Sequence, residues 1–149
     1  MSAKITTMKL SYLPTLLFSA AMALFCSSCR NDAKLHQLIE SNTKECPIEV
    51  TRGFILERVT DDGSWVTYRY LYADSLYNPA AIQKQYGVEA MKQTTLRSLK
   101  ESPESQEFFQ EVANCGRGLK YVYIGNPSGD SCAIVIDAAE VGRAAQSSE

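Results

Sequence analysis

The chain reads FILERVTDDGSWVTYRYLY from residue 54 to residue 72, where two runs of alternating side chains flank an Asp-Gly pair. Such a pair between alternating runs is typical of a β-hairpin with a tight turn. With Asp62 and Gly63 at the centre of the turn, Val59 faces Val66. Side chains alternate between the two faces of a strand. One face is then mostly apolar and is predicted to face the core: Ile55, Glu57, Val59, Val66, Tyr68, Tyr70 and Tyr72. The other face mixes apolar and basic groups: Phe54, Leu56, Arg58, Trp65, Thr67, Arg69 and Leu71.

A second hairpin is predicted from the runs at 119–124 and 131–136, which surround NPSGD at 126–130. Pairing these runs places Cys132 opposite Tyr123 and on the same strand face as two isoleucines. We therefore predict that Cys132 is packed in the core.

The sequence segments between and around the two predicted hairpins carry signals of helices. Asn78-Pro79 is a helix start, because Asn caps free amides and Pro suits the first turn. Ser102-Pro103 repeats that signal for a second helix, which is expected to stop at Gly116. Apolar side chains three and four positions apart predict another helix from Ala33 to about Asn42. Asp137 to Glu140 has the spacing of a capping box, and the turn that it opens is expected to end at Gly142.

The order of elements is therefore α-β-β-α-α-β-β-α. This order predicts an α+β fold in which an antiparallel sheet of two hairpins packs against helices. A single α+β domain is expected at residues 35–142, followed by a flexible tail at 143–149.

The first 28 residues have the three parts of a secretory signal: two lysines, an apolar run and small residues before a cysteine. Cys26-Ser27-Ser28-Cys29 resembles the bacterial lipobox, although Cys26 stands where leucine is usual. The resemblance implies a signal peptide at 1–28, lipidation of Cys29 and a lipidated tether at 29–34. A retained transmembrane anchor is the alternative, but the apolar run of about sixteen residues is shorter than the roughly twenty that span a bilayer. Arg30, in place of Asp after the cysteine, resembles the signal for the outer membrane.

Three further motifs of the chain are CPIEV at 46–50, VTYRY at 66–70 and GLKYVY at 118–123. With the lipobox-like signal, they resemble small lipoproteins of Bacteroidetes-type bacteria. That resemblance implies a location in the cell envelope and an α+β domain, and it implies no activity.

Charge argues against nucleic acid as a partner. Removal of residues 1–28 takes away Lys4 and Lys9 and leaves 13 basic and 17 acidic side chains, mixed along the chain. Nucleic-acid binding depends on clustered Lys and Arg. Cys26 and Cys29 have the C-x-x-C spacing of a redox pair or of half a zinc site, but no second metal-spaced pair follows, and we predict neither a metal nor a cofactor.

Three cysteines remain beyond Cys29, and an oxidising compartment permits a disulfide. Cys132 lies at the far end of the second hairpin from Cys115, so the favoured bridge joins Cys46 with Cys115. A catalytic thiol is the alternative. The only histidine, His36, lies near the tether and off the apolar helix stripe, which makes it a poor candidate base and predicts exposure to solvent.

Two more groups of the sequence are candidate chemical sites. Asp61 and Asp62 with Glu57 offer carboxylates for a cation or for acid chemistry, but Asp is common in hairpin turns for its geometry alone. Gly116-Arg117-Gly118 precedes a strand and is interpreted as a helix stop, since a phosphate loop needs a following helix. We identify no catalytic residue and expect no enzyme.

The remaining candidate is a contact patch formed by Trp65, Arg69 and Leu71 on the outer face of the first hairpin, while the strand tyrosines are assigned to the core. The predicted function is a non-catalytic binding or interaction module at the envelope. Its predicted partners are the membrane, through the lipid, and an envelope protein or a glycan. The alternative is an inhibitor or immunity-type protein that blocks a secreted hydrolase through the loops at 61–64 and 126–130.

Overall fold

The computed structural model describes residues 32–147. The predicted signal peptide, Cys29 and the last two residues of the predicted tail lie outside the described residues. The described chain contains five helices and five strands: α1 (32–43), then β1 (Ile48–Thr51), β2 (Phe54–Asp61), β3 (Trp65–Ala73), α2 (Pro79–Tyr86), α3 (Val88–Glu101), α4 (Pro103–Asn114), β4 (Gly118–Asn126), β5 (Ser131–Ile136) and α5 (Ala138–Gln146).

The strands form one sheet in the order β1-β2-β3-β4-β5. The predicted α+β class is confirmed, but the prediction of a purely antiparallel sheet is wrong because β3 and β4 run parallel. Parallel neighbours need a crossover of about a dozen residues or more. The three helices between β3 and β4 provide that crossover, and they return the chain to the end where β3 begins. The short strand β1 adds a fifth strand beside β2.

The first hairpin forms with a register different from the predicted one. Val59 pairs with Tyr68 and Asp61 with Val66, because Oδ1 of Asp62 accepts hydrogen bonds from the amides of Ser64 and Trp65 and so widens the turn. A bulge between Leu56 and Arg58 then adds one residue to β2. A bulge reverses the faces of the residues beyond it. Leu56 therefore packs against the core, and Ile55 lies on the opposite face.

The described helices all lie on one face of the sheet. Their buried apolar residues join side chains from β2 to β5 in one core, with Leu35, Val66, Val112, Leu119, Ile136 and Val141 fully enclosed. The predicted tyrosine core is confirmed: Tyr68 stacks on Tyr121 with ring centroids 5.0 Å apart, and Tyr70 stacks on Tyr123 at 5.4 Å. Burial raises the pKa of all four phenols.

Several helix boundaries agree with the sequence signals. Asn78 caps α2 through its side chain, and the Asp137–Glu140 capping box opens α5. Two boundaries correct the predictions. Helix α5 continues through Gly142 to Gln146 because Val141 and Ala145 are buried, so residues 143–146 are not a flexible tail. Residues 32–34 of the predicted tether are already helical, and Lys34 donates to Glu111 of α4 at 2.7 Å.

None of the described helices is both long and apolar enough to cross a membrane.

Candidate functional site

The sheet face opposite the helices is not covered by any of residues 32–147. We call this surface the open face, and it contains the side chains of Ile55, Arg58, Trp65, Thr67, Arg69, Leu71, Lys120, Val122, Ile124 and Val135. None of these side chains belongs to the buried core. The three residues of the predicted contact patch, Trp65, Arg69 and Leu71, lie together on this face and on one strand.

Trp65 is held in place by the neighbouring strand β4. It pairs with Gly118, where a side chain would overlap the indole ring. The ammonium group of Lys120 lies 4.3 Å from the ring centroid, a distance at which a cation is attracted to an aromatic face. The glycine and the lysine therefore fix the indole ring flat against the sheet.

Apolar side chains cross the middle of the open face. Leu71 pairs with Ile55 on one side and with Ile124 on the other, and Val122 lies beside Arg69. These apolar residues are half-buried. The face therefore has an apolar centre that extends over three strands.

Basic groups surround this apolar centre. Arg69 forms an ion pair with Glu57 at the bulge of β2. Arg58 is exposed and makes no ion pair with any described residue. Lys120 lies over the indole ring, and its charge also helps to lower the pKa of Asp62 without forming a salt bridge. The open face therefore carries two cations that form no ion pair with a described carboxylate.

The sequence did not assign the β4 contribution to this surface. That contribution consists of Lys120, Val122 and Ile124, which alternate with core tyrosines along β4. The alternation could have predicted that these three side chains lie on the face opposite the tyrosines. Their position beside β3 depends on the parallel pairing, which the sequence did not predict.

A polar cluster lies at the turn end of the sheet. Asp61, whose side chain is 3% exposed, accepts hydrogen bonds from Nε of Arg117 at 3.1 Å and from the amide of Gly63 at 2.9 Å. Arg117 also donates to Asp32 at 3.1 Å and to the carbonyl of Cys115 at 2.9 Å. This hydrogen-bond network joins α1, the β2–β3 turn and the start of β4. Arg117, which follows the predicted helix stop, therefore also connects these three parts of the fold.

The carboxylates near the turn have structural partners. Backbone hydrogen bonds from Ser64 and Trp65 lower the pKa of exposed Asp62, while Asp61 is bound to Arg117 and Glu57 to Arg69. Among the described residues no cluster of His, Cys, Asp or Glu side chains has the arrangement of a metal site. Asp62 has the turn role that hairpin geometry predicts.

The predicted Cys46–Cys115 disulfide is absent, and Cys46, Cys115 and Cys132 are free thiols. Cys115 lies beside Asp32 and Arg117 in the polar cluster, whereas Cys46 precedes β1. Burial, followed by the hydrogen bond with Asp32, raises the pKa of Cys115 to about 11. Burial also raises the pKa values of the Cys46 and Cys132 thiols. These thiols are protonated near neutral pH and are poor nucleophiles.

His36 is 63% exposed at its side chain, as the helical spacing predicts. Its Nε2 lies 3.4 Å from Oδ2 of Asp61, an oxygen with no hydrogen-bond partner among the described residues. His36 thus lies at the rim of the polar cluster, beside Asp61.

The loops at 61–64 and 126–130 lie at opposite ends of the sheet. The first precedes β3 and the second follows β4, and the parallel pairing of these two strands separates the loops by the full strand length. The nine paired residues are joined by eight steps of about 3.3 Å, which makes this separation roughly 26 Å. The two loops therefore do not form one continuous binding edge.

No family model matches the chain, and no curated protein matches it in sequence. Two solved structures are similar in fold. A Pseudomonas aeruginosa protein assigned as secreted has a TM-score of 0.56 at 10% identity, with 77% of this chain and 96% of that chain covered. The pilotin EpsS of the Vibrio vulnificus type 2 secretion system has a TM-score of 0.52 at 11% identity, with 77% and 94% covered. At these identities the comparisons show a common fold.

Proposed function

We propose that this chain is a non-catalytic protein of the bacterial cell envelope, held to the membrane by a lipid on Cys29, and that its open face docks another envelope protein. The observation that carries the proposal is the apolar centre of the open face, with two cations beside it and no described element covering it. Large exposed apolar surfaces on a small protein commonly mark interaction sites.

The lipid anchor is supported by the signal-like start of the chain and by the lipobox resemblance at Cys26 to Cys29. Helical structure is already present at Asp32. Three residue steps from Cys29 to Asp32 extend over at most about 11 Å. A lipid on Cys29 would therefore hold the domain close to the bilayer surface, where tethering raises its effective concentration for neighbouring proteins.

The chemistry of the open face favours a protein partner over a glycan. Ile55, Leu71, Val122 and Ile124 offer aliphatic surface, while Trp65 is the single aromatic side chain of the face and Lys120 already covers its ring. A matching partner surface would be apolar at its centre and acidic where it meets Arg58 and Lys120.

The comparisons support a partner among envelope assembly proteins. The name of EpsS assigns that protein to a type 2 secretion system as a pilotin, and the present chain has a similar fold. The inhibitor alternative gains no support, because its two loops lie at opposite ends of the sheet.

Anchoring is tested by fractionating cells that express the full chain with Cys29→Ala. The variant is expected to move from the membrane to the soluble fraction, while Cys132→Ser, which changes a cysteine inside the domain, stays with the membrane. A Cys29→Ala protein that remains with the membrane contradicts the anchor.

Docking is tested in cells with a photo-crosslinking amino acid at position 71 or 122, and at position 104 on exposed α4 as the control. We expect one protein adduct from positions 71 and 122 and none from 104. The combined Arg58→Glu and Lys120→Glu substitutions should reduce its yield roughly tenfold by charge repulsion. Adducts only with glycan or lipid, or an equal adduct from position 104, would contradict a protein-docking role.

A further inference from the structure

The edge strand β5 has an unusual surface for an unpaired edge. Its residues Ser131–Ile136 include no charged side chain and no proline, although such groups normally protect an edge from pairing with another chain. The amide of Gly125 donates to the carbonyl of Asp130 at 2.8 Å. Since inward and outward backbone groups alternate along an antiparallel strand, Ser131, Ala133 and Val135 direct their backbone groups away from the sheet.

One outward group already has a substitute partner. The side-chain amide of Gln83 on α2 donates to the carbonyl of Ala133 at 3.1 Å. This amide stands where the N–H of an added strand would stand. The other outward groups of Ser131, Ala133 and Val135 have no backbone or side-chain partner among the described residues.

Exposed apolar side chains flank the same edge. Ile82 and Tyr86 of α2 are 44% and 63% exposed, and Val135 of β5 is 40% exposed. Behind them lies a groove of about 350 Å³ between α2, α3 and the sheet, and no charged residue lines it. The two threonine hydroxyls of its lining donate to carbonyls of their own helix. Neither strand β5 nor the lining of this groove carries a charged side chain.

We infer that two copies of this chain join through β5, antiparallel and centred on Ala133, to form a continuous ten-stranded sheet. Centring on Ala133 pairs Ser131 of one copy with Val135 of the other. The outward backbone groups of these three residues then have strand partners, and the amide of Ala133 of the second copy replaces the Gln83 side chain at the Ala133 carbonyl. Ser131–Ile136 carry no charged side chain, so no like charges meet within the paired strands, while Asp130 and Asp137 lie at the two ends of the seam.

The symmetry of this pairing also accounts for the exposed helix residues. An antiparallel pair within one sheet has its two-fold axis perpendicular to the sheet, so both helical layers stay on the same side. Helix α2 of each copy then faces its symmetry mate across the seam, and Ile82 and Tyr86 of both copies cover the groove. A charged or polar partner strand would not match this apolar surround. The contact uses a different surface from the centre of the open face and does not depend on the proposed function.

Engineered cysteines test the register in the full chain on the membrane, in a Cys132→Ser background and with a mild thiol oxidant. Paired Ala133 residues would have Cα atoms about 5.5 Å apart, within disulfide range, so Ala133→Cys is expected to give a covalent dimer. Ser131→Cys is the matched control, because the two copies of position 131 would be about 14 Å apart. We expect a yield roughly tenfold higher from position 133 than from position 131. Equal yields would overturn the proposed register.

Sedimentation of the full chain in detergent provides the second measurement. The wild type is expected to be a dimer, and Val135→Lys a monomer with unchanged circular dichroism, since this side chain lies on the surface. Val50→Lys on the opposite edge strand, where Val50 is 58% exposed, should leave the dimer intact. A monomeric wild type, or loss of the dimer with Val50→Lys but not with Val135→Lys, would overturn the proposal.

Discussion

Trp65 shows how the sheet positions a large side chain on a surface that no layer covers. Gly118 leaves room for the ring on β4, and Lys120 holds the opposite side of the ring. The alternation of Trp65, Arg69 and Leu71 was sufficient to predict that they share a face. The alternation did not reveal Gly118 and Lys120 as neighbours, because their contact with Trp65 depends on the pairing of strands that are distant in sequence.

The Asp61–Arg117 ion pair is expected to contribute strongly to stability. Its side chains are only 3% and 12% exposed, and removal of one partner from a buried pair leaves the other charge uncompensated. Asp61→Asn should therefore lower the free energy of unfolding by about 3 kcal/mol. Urea denaturation measures this change, with Glu104→Gln as a surface control. A loss no larger than that of the control would contradict the structural role of the pair.

At the scale of elements, features set by local sequence were predicted better than features set by tertiary contacts. Asn78 and the Asp137–Glu140 box predicted helix boundaries because capping is a local property. The bulge at Glu57 shifted the faces of half of β2, and alternation alone did not show it. The parallel pairing of β3 with β4 was recoverable in principle, since a connection with three helices is long enough for a crossover.

Helix α5 provides a test of one corrected boundary. Gly142 lies inside the helix without a positive φ angle, and a methyl group there would meet no atom within 4 Å. Gly142→Ala should raise the free energy of unfolding by about 0.5 to 1 kcal/mol, because alanine loses less backbone entropy in a helix. Thermal and urea melts measure the change. A destabilised variant would instead support a helix that ends at Gly142.

The whole molecule is a two-layer structure with two chemically different sheet faces. One face carries the stacked tyrosines and packs against the helices, while the other presents aliphatic and basic groups. Location was predicted from the first thirty residues, and the β3 part of the open face was predicted from strand alternation, whereas the β4 part of that face emerged only from the assembled sheet. Composition alone did not predict the open face, because it depends on all helices lying on the same side.

The tyrosine core predicts a limit of stability at alkaline pH. Burial raises the pKa values of Tyr68, Tyr70, Tyr121 and Tyr123 above the ordinary value of 10.0. The folded state therefore retains protons that the unfolded state releases, so stability is fully present below about pH 10 and falls as the pH rises above it. We expect tyrosinate absorbance to rise together with loss of circular dichroism. Ionisation of all tyrosines in a chain that remains folded would contradict a buried cluster.

The most direct test of the docking claim is the accessibility of the open face in the native envelope. Val122→Cys places a thiol at the centre of that face, and Glu104→Cys places one on α4 as the control. Maleimide labelling of intact envelopes is compared with labelling of the purified protein. If the open face is occupied, position 122 should label much more slowly in envelopes than after purification, while position 104 labels equally fast in both. Equal labelling of position 122 in both preparations would contradict the account.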